Sequence, residues 1–415
     1  MIGTGVFTSL GFQLLEIQSG FALMMLWVVG GVTALCGALT YAELGATLPR
    51  SGGEYNFLTQ IYHPLAGFVS GWVSATIGFA APTALAAITF GRYLSSAVPV
   101  VNPTFAACLL VIVLTTVHST THRNSGGLQL IFTALKVVVI CVFCLAALLL
   151  VEQPQPVAFL PQSGDGPLLI SGAFAVSLIF VNYAYTGWNA ATYLTSELEE
   201  PRRWLPVILG AGTLLVMALY LALNFTFLYT TPMEAMAGKV EVGYVAARHA
   251  FGEAGGVAMG LVLSALLIST VSAMIMAGPR VLQVIGEDFK SFRFLARKND
   301  DGVPSVAIAI QSLLTLAFIL TSSFETILVF SGFTLALNTL LAVAGIFVLR
   351  WRDPGRDRQY RTFLYPLPPL IYLGLTCWTL LYILMQRPTE GLLGLGLIGL
   401  GVFFYWLTRF MDKME

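Results

Sequence analysis

Apolar runs long enough to cross a bilayer recur along the whole chain, separated by short polar stretches that hold most of its charge. Residues 21–41, 205–229, 256–277 and 391–407 meet or approach the roughly 20 apolar residues one helical crossing needs, with no charge at their centres. The pattern predicts an incomplete first span (1 to about 15) and eleven full ones. These fall near 21–48, 64–98, 103–118, 126–151, 168–197, 204–230, 255–285, 304–321, 324–350, 365–385 and 390–409. Helices follow because the bilayer core has no water to satisfy backbone N–H and C=O groups. Two connecting stretches are longer than the rest. Residues 152–167 are rich in proline. Residues 232–252 place Met233, Met236, Val240, Tyr244, Ala247 and Phe251 at helical spacing, which predicts a helix lying on the outer surface as a lid, with a solvated loop as the alternative.

Composition agrees with the pattern. Of 415 residues, 57% are hydrophobic and only 10% charged, too few to solvate the surface of a water-soluble domain. A net charge of zero argues against a nucleic-acid partner. The five cysteines (Cys36, Cys108, Cys141, Cys144, Cys377) all sit in apolar runs, so they read as small buried hydrophobes, and no disulfide-linked partner is expected. No basic segment precedes the first apolar residues, so no cleavable signal peptide is expected. His63, His118, His122 and His249 lack metal-ligand spacing, and no phosphate-binding glycine loop is present. The chain therefore reads as a non-enzyme with no cofactor and no metal.

Charge then assigns the sides of the membrane. Sixteen basic residues fall on one set of alternate loops and the C-terminal tail: Arg50, Arg123, Arg202, Arg203, Arg280, Lys290, Arg293, Arg297, Lys298, Arg350, Arg352, Arg356, Arg358, Arg361, Arg409 and Lys413. The opposite set holds four: Arg92, Lys239, Arg248 and Arg387. The first set is cytoplasmic by the positive-inside rule, and so is the C-terminus. Lys136 belongs to neither side. It lies about eleven residues into the fifth span, where a lysine costs on the order of 2.5–3.5 kcal/mol and should face a cavity or a partner. Snorkelling does not explain it, since its side chain reaches about 6 Å and the nearest helix end is roughly 15 Å away.

Two spans carry glycine breaks at corresponding places, five spans apart. They are Gly3-Thr4-Gly5 in the first and the stretch from Tyr183 to Asn189 (YAYTGWN) in the sixth. Unwound turns expose backbone N–H groups that suit a carboxylate and carbonyls that suit an ammonium group, and together they describe a zwitterion site at mid-membrane. Close helix packing is the alternative for either motif alone. Glu43 and Glu54 flank the loop after span two, and Glu197, Glu199 and Glu200 end span six beside Arg202 and Arg203. Opposite charges on these neighbouring cytoplasmic loops read as a closed-gate latch or as ordinary solvated helix ends.

Four stretches carry a family resemblance: MIGTGVF (1–7), YAELGATLPRSGGEY (41–55), YAYTGWNAATYLTSELEEPRRWLP (183–206) and AGPRVLQVIGED (277–288). With them the chain resembles bacterial members of the amino acid–polyamine–organocation (APC) superfamily, on the neutral amino acid exchanger and permease branch. The resemblance implies an all-α polytopic membrane protein of LeuT-type fold. Its five-plus-five inverted repeat would run over 1–151 and 168–350, with two extra C-terminal spans over 365–409 and a first span lacking its N-terminal half. It implies secondary transport of neutral L-amino acids across the cytoplasmic (inner) membrane by alternating access, as exchange or proton symport. Export of amino acids or amines, and a non-translocating receptor, are the alternatives. An unwound sixth span without acidic residues disfavours cationic cargo.

By the same resemblance, the N–H groups of Gly3, Thr4 and Gly5, with the Thr4 hydroxyl, would hold the substrate carboxylate. Carbonyls of Met1, Ile2, Tyr183, Ala184 and Thr186, beside Gly187, would hold its ammonium group. Tyr183 and Trp188 would form an aromatic gate. Lys136 would stand where sodium-driven relatives bind the ion between spans one and eight, as a fixed charge or a titrating group. Spans three, eight and ten should supply side-chain selectivity, and Ser269, Thr270, Ser272 and Ser331 are the nominees there, with helix–helix hydrogen bonding as the alternative. Relatives extend beyond the break toward the cytoplasm, whereas Met1 stands at the break itself.

Overall fold

The computed structural model describes residues 1–120, 126–300 and 302–414. Arg123 and His122 lie outside the described residues, and the side chains of Glu197 and Lys413 are likewise outside them. Among the described residues there is helix, turn and loop but no strand.

Each predicted span is met by a helical segment. Span one is helical over Gly5–Gln13, and spans two, four and five are single helices over Gly20–Thr47, Pro103–Thr120 and Gly126–Leu150. Span three is Pro64–Val73 and Ala80–Ala97 joined by one π-helical turn, Ser74–Gly78. Span six is helical over Gly172–Tyr185, loses helical form at Thr186 (ψ 147°), and resumes as a 3₁₀ segment, Ala190–Glu197. Span seven is Pro201–Thr230 and span eight Val242–Ala277, followed after Gly278 by Pro279–Asp288. Spans nine to twelve are Ser305–Thr321, Phe324–Arg352, Leu367–Gln386 and Pro388–Met414. Capping chemistry fixes several starts: Ser19, Ser171 and Ser323 each accept a hydrogen bond from an N–H in the first turn of spans two, six and ten.

Packing divides the bundle into two groups. Span two packs along span seven, and span one lies on span six. Span three packs along span eight and touches spans four and nine. Small residues allow the close approaches: Gly30 meets Val181, and Gly37 meets Trp188 and Tyr372. The outward faces keep large apolar side chains, including Phe105, Ile131, Leu149, Leu215, Phe403 and Trp406, which only a hydrocarbon surrounding satisfies.

The outer stretch 232–252 is packed, not a solvated loop. Met233–Met236 is a short helix, and span eight's helix already begins at Val242, bending at Gly252 (φ 73°). Met236, Val240, Tyr244 and Ala247 are buried, and the Gly238 N–H donates to the Gly11 carbonyl at 2.8 Å. The helical spacing is thus the face that caps the outer end of span one.

Cysteine burial is less uniform than expected. Cys36 and Cys144 are buried, Cys108 is half-buried, and Cys141 and Cys377 are exposed. An apolar run in a membrane helix serves the lipid face as readily as the core, so composition alone does not separate the two.

Candidate functional site

The two breaks meet. A Cβ added to Gly5 would stand 2.4 Å from the Ala184 Cα, so only a residue without a side chain lets span one touch span six here. The Thr4 hydroxyl lies 3.3 Å from the Tyr183 hydroxyl, and Ser9 Oγ donates to the Phe180 carbonyl at 2.9 Å. Gly187 has φ 92°, a left-handed conformation that costs other residues strain, and it turns the chain out of the helix toward Met1. Thr186 holds the turn from inside, donating through its N–H (3.0 Å) and its hydroxyl (2.6 Å) to the Tyr183 carbonyl.

Around this junction lies a cavity of about 370 Å³. Every predicted substrate residue lines it: Met1, Ile2, Gly3, Thr4, Gly5, Tyr183, Ala184, Thr186 and Gly187, as do Trp188 and Lys136. The N–H groups of Gly3, Thr4 and Gly5 head a helix, where no intrahelical acceptor exists for them. That end carries partial positive charge and suits a carboxylate.

Lys136 is buried, and its Nζ donates to Thr270 Oγ1 of span eight at 2.7 Å. Among the described residues no carboxylate lies within ion-pair distance of it. The ammonium group therefore stands between spans one and eight, beside the break in span one.

Thr270 is the one nominee of four that reaches the cavity. Ser272 pairs with His118 Nε2 (2.8 Å), Ser331 donates to the Leu328 carbonyl (3.2 Å), and Ser269 is buried away from it. Ser272 is thus a helix–helix hydroxyl and Ser331 an intrahelical one. Spans three, eight and ten do line the cavity, through Phe79 and Pro82, Ala273 and Met274, and Leu335, Ala336 and Asn338. Trp188 is wedged inward, edge-on to Tyr41 at 4.7 Å and to Tyr372 at 6.0 Å.

Sequence reasoning missed three features. The Tyr220 hydroxyl of span seven lies within hydrogen-bonding distance of the carbonyls of both Met1 (2.9 Å) and Ala184 (3.1 Å), tying the two breaks together. A polar residue in an apolar span was the available signal. The π turn at Ser74–Gly78 brings Ser74 and Gly78 to the cavity and has no sequence signature of its own. Glu54 is the third: it is buried at the cavity wall, not solvated at a loop.

Between the two readings of these charges, latch or solvated helix ends, the acids divide: Glu43 and Glu54 are buried and bonded, and Glu200 is exposed. Glu43 is fully buried and bound by Arg350 through two bonds (2.9 and 2.7 Å) and by the N–H and hydroxyl of Thr362 (2.6 and 2.7 Å). Arg350 also lies 3.6 Å over the Tyr365 ring. Glu200 pairs with exposed Arg203, three residues on. Each buried acid found donors on a distant element, because desolvation penalises a carboxylate without them.

The amino acid permease family model matches residues 1–395 of this chain. The chain is 28% identical to the large neutral amino acids transporter small subunit 2 of Mus musculus, over 98% of this chain and 78% of that protein. The Homo sapiens protein of that name gives 28%, over 98% and 77%. The b(0,+)-type amino acid transporter 1 of Mus musculus gives 25%, over 98% and 84%. The chain belongs to the amino acid permease family, within the APC superfamily. It is a polytopic membrane protein of LeuT-type fold that carries amino acids by secondary transport, and its family is one of transporters rather than enzymes.

Proposed function

We propose that the chain moves neutral L-amino acids across the cytoplasmic membrane by alternating access, holding the zwitterion where spans one and six are both unwound. The observation that carries this reading is the meeting of the two breaks at one cavity, with the head of the helix Gly5–Gln13 on one side and the turn after Tyr185 on the other. Gly3, Thr4 and Gly5 bind the carboxylate. The carbonyls of Met1, Ile2, Tyr183, Ala184 and Thr186, around Gly187, receive the ammonium group, and Tyr183 with Trp188 forms the aromatic gate. Similarity to the large neutral amino acids transporters supports the substrate class.

Lys136 is the coupling residue in this reading. Its charge occupies the space between spans one and eight, as a fixed cation in an exchanger or as a proton carrier in a symporter. We read 1–151 and 168–350 as the two inverted repeats and 365–409 as two further spans, with the C-terminus cytoplasmic on the positive-inside count. Flux of a radiolabelled neutral amino acid into proteoliposomes tests the proposal. Saturable uptake driven by amino acid inside identifies exchange, and uptake driven by a pH gradient alone identifies symport. Absence of saturable uptake under either gradient overturns it.

A further inference from the structure

Glu54 opens a nine-residue helix, Gly53–Ile61, between spans two and three. That helix is fastened to spans three, eight and ten. The Tyr55 hydroxyl donates to Asp288, the Tyr62 hydroxyl to the Leu341 carbonyl (3.0 Å), and Arg352 to the Ile61 carbonyl (2.7 Å). The helix also packs along the first part of span three. Toward spans two and six it packs Phe57 edge-on to Tyr41 (5.6 Å) and donates from Asn56 Nδ2 to the Leu48 carbonyl (3.2 Å), and the polar link to the break in span six runs through the Glu54 carboxylate. Glu54 Oε1 accepts from the Tyr41 hydroxyl of span two (3.0 Å) and from Asn189 Nδ2 at the break in span six, and Oε2 accepts from the Tyr193 hydroxyl of the 3₁₀ segment. Glu54 is 1% exposed. Glu54, Asn189 and Tyr193 all line the cavity.

We propose that Glu54 is a positioning residue for transport. Its carboxylate clasps the inner segment of span six to the helix Gly53–Ile61, and its release is the step that opens the cavity inward. This rests on the transport reading of the same cavity. Alternating access needs one group of spans to move against the other, so a contact that bridges them must break and re-form in every cycle. Two buried glutamates lie on this side of the bundle, and their chemistry differs. Glu43 is held by a bidentate guanidinium, whereas the three bonds to Glu54 come from neutral donors. The guanidinium adds a bidentate fork and an opposite charge to the bonds on Glu43, so Glu54, held by neutral donors, is the clasp suited to opening. Asn189 belongs to the turn that frames the substrate, so occupancy of the cavity bears directly on the clasp.

The experiment compares half-saturation from the inside and the outside of proteoliposomes. Wild type, Glu54→Gln and Tyr193→Phe are assayed with radiolabelled L-leucine. A loosened clasp raises the inward-open population, which lowers the inside half-saturation and raises the outside one. The expected shift in their ratio is about fivefold or more in the same direction for both variants. A purely structural role lowers the amount of folded carrier and the maximal rate but leaves the ratio unchanged. Tyr193→Phe removes one hydroxyl, so it carries the test if the glutamate variant is poorly folded. An unchanged ratio in a well-folded Tyr193→Phe overturns the clasp while transport stands. A wild-type protein without saturable flux overturns both.

Discussion

Lys136 Nζ donates to Thr270 Oγ1 at 2.7 Å, and this hydroxyl is the partner that the buried ammonium group finds across the gap to span eight. A threonine hydroxyl solvates the charge without neutralising it. The positive field therefore persists beside the break in span one.

Removing that charge has a direct reading. Lys136→Ala is expected to lower saturating flux about tenfold or more, equivalent to roughly 1.4 kcal/mol, with the amount of protein in the membrane unchanged. Thr270→Ala should give a smaller loss, because the lysine remains. Full pH-dependent transport by Lys136→Ala would exclude a titrating role.

The contact between spans one and six predicts a steric effect. Gly5→Ala places a methyl 2.4 Å from the Ala184 Cα, and backbone must move to admit it. Overpacking of this kind costs about 1–3 kcal/mol. Thermal unfolding in detergent should show the loss, and apparent substrate affinity should fall with it. Unchanged melting and affinity would show that the junction is looser than described.

Glu43 gives the largest stability effect expected. Arg350→Met removes its bidentate partner and leaves a fully buried carboxylate with Thr362 and Arg358, whose Nε is 3.7 Å from it. Breaking a buried pair costs about 3–5 kcal/mol, at the low end here because those groups remain. Replacing both residues at once, Glu43→Met with Arg350→Met, should recover much of the loss. A double variant no more stable than Arg350→Met refutes the account.

A pH effect is expected outside the membrane. The Ser19 hydroxyl (2.6 Å) and the Gln162 N–H (2.7 Å) both donate to Asp165 and hold its carboxyl below the usual value near 3.8. A depressed value means the contribution is complete above the ordinary pKa and is lost as pH falls through the lower, folded one. Hydrogen exchange at the Gln162 amide should therefore quicken beyond the intrinsic trend as pH falls below about 3.8. In Asp165→Asn that extra change should vanish.

How much of this could be read from the chain depends on the scale of the signal. Spans are written in composition over about twenty residues, so their number and order are legible even where Ser74–Gly78 adds a π turn. Lys136 stands out because one charge contradicts everything around it. Gly187 marks its own turn, since its conformation is one that other residues resist. Glu54 was legible as a latch candidate, but its partners were not. Its neighbours Arg50, Ser51 and Gly52 look like solvated loop, and only the tertiary path brings Asn189 and Tyr193 to it. Ser272 and Ser331 lie off the cavity because a hydroxyl on a membrane helix serves its own backbone or a neighbour as well as a ligand.

The bond from the Gly238 N–H to the Gly11 carbonyl has a practical consequence. It couples an element on the outer surface to the backbone of span one, so tilting of that span must drag the element or break the bond. An antibody fragment gripping residues 233–251 from outside would then act as a brake on the carrier without entering its cavity. The rate at which it binds would follow the cycle.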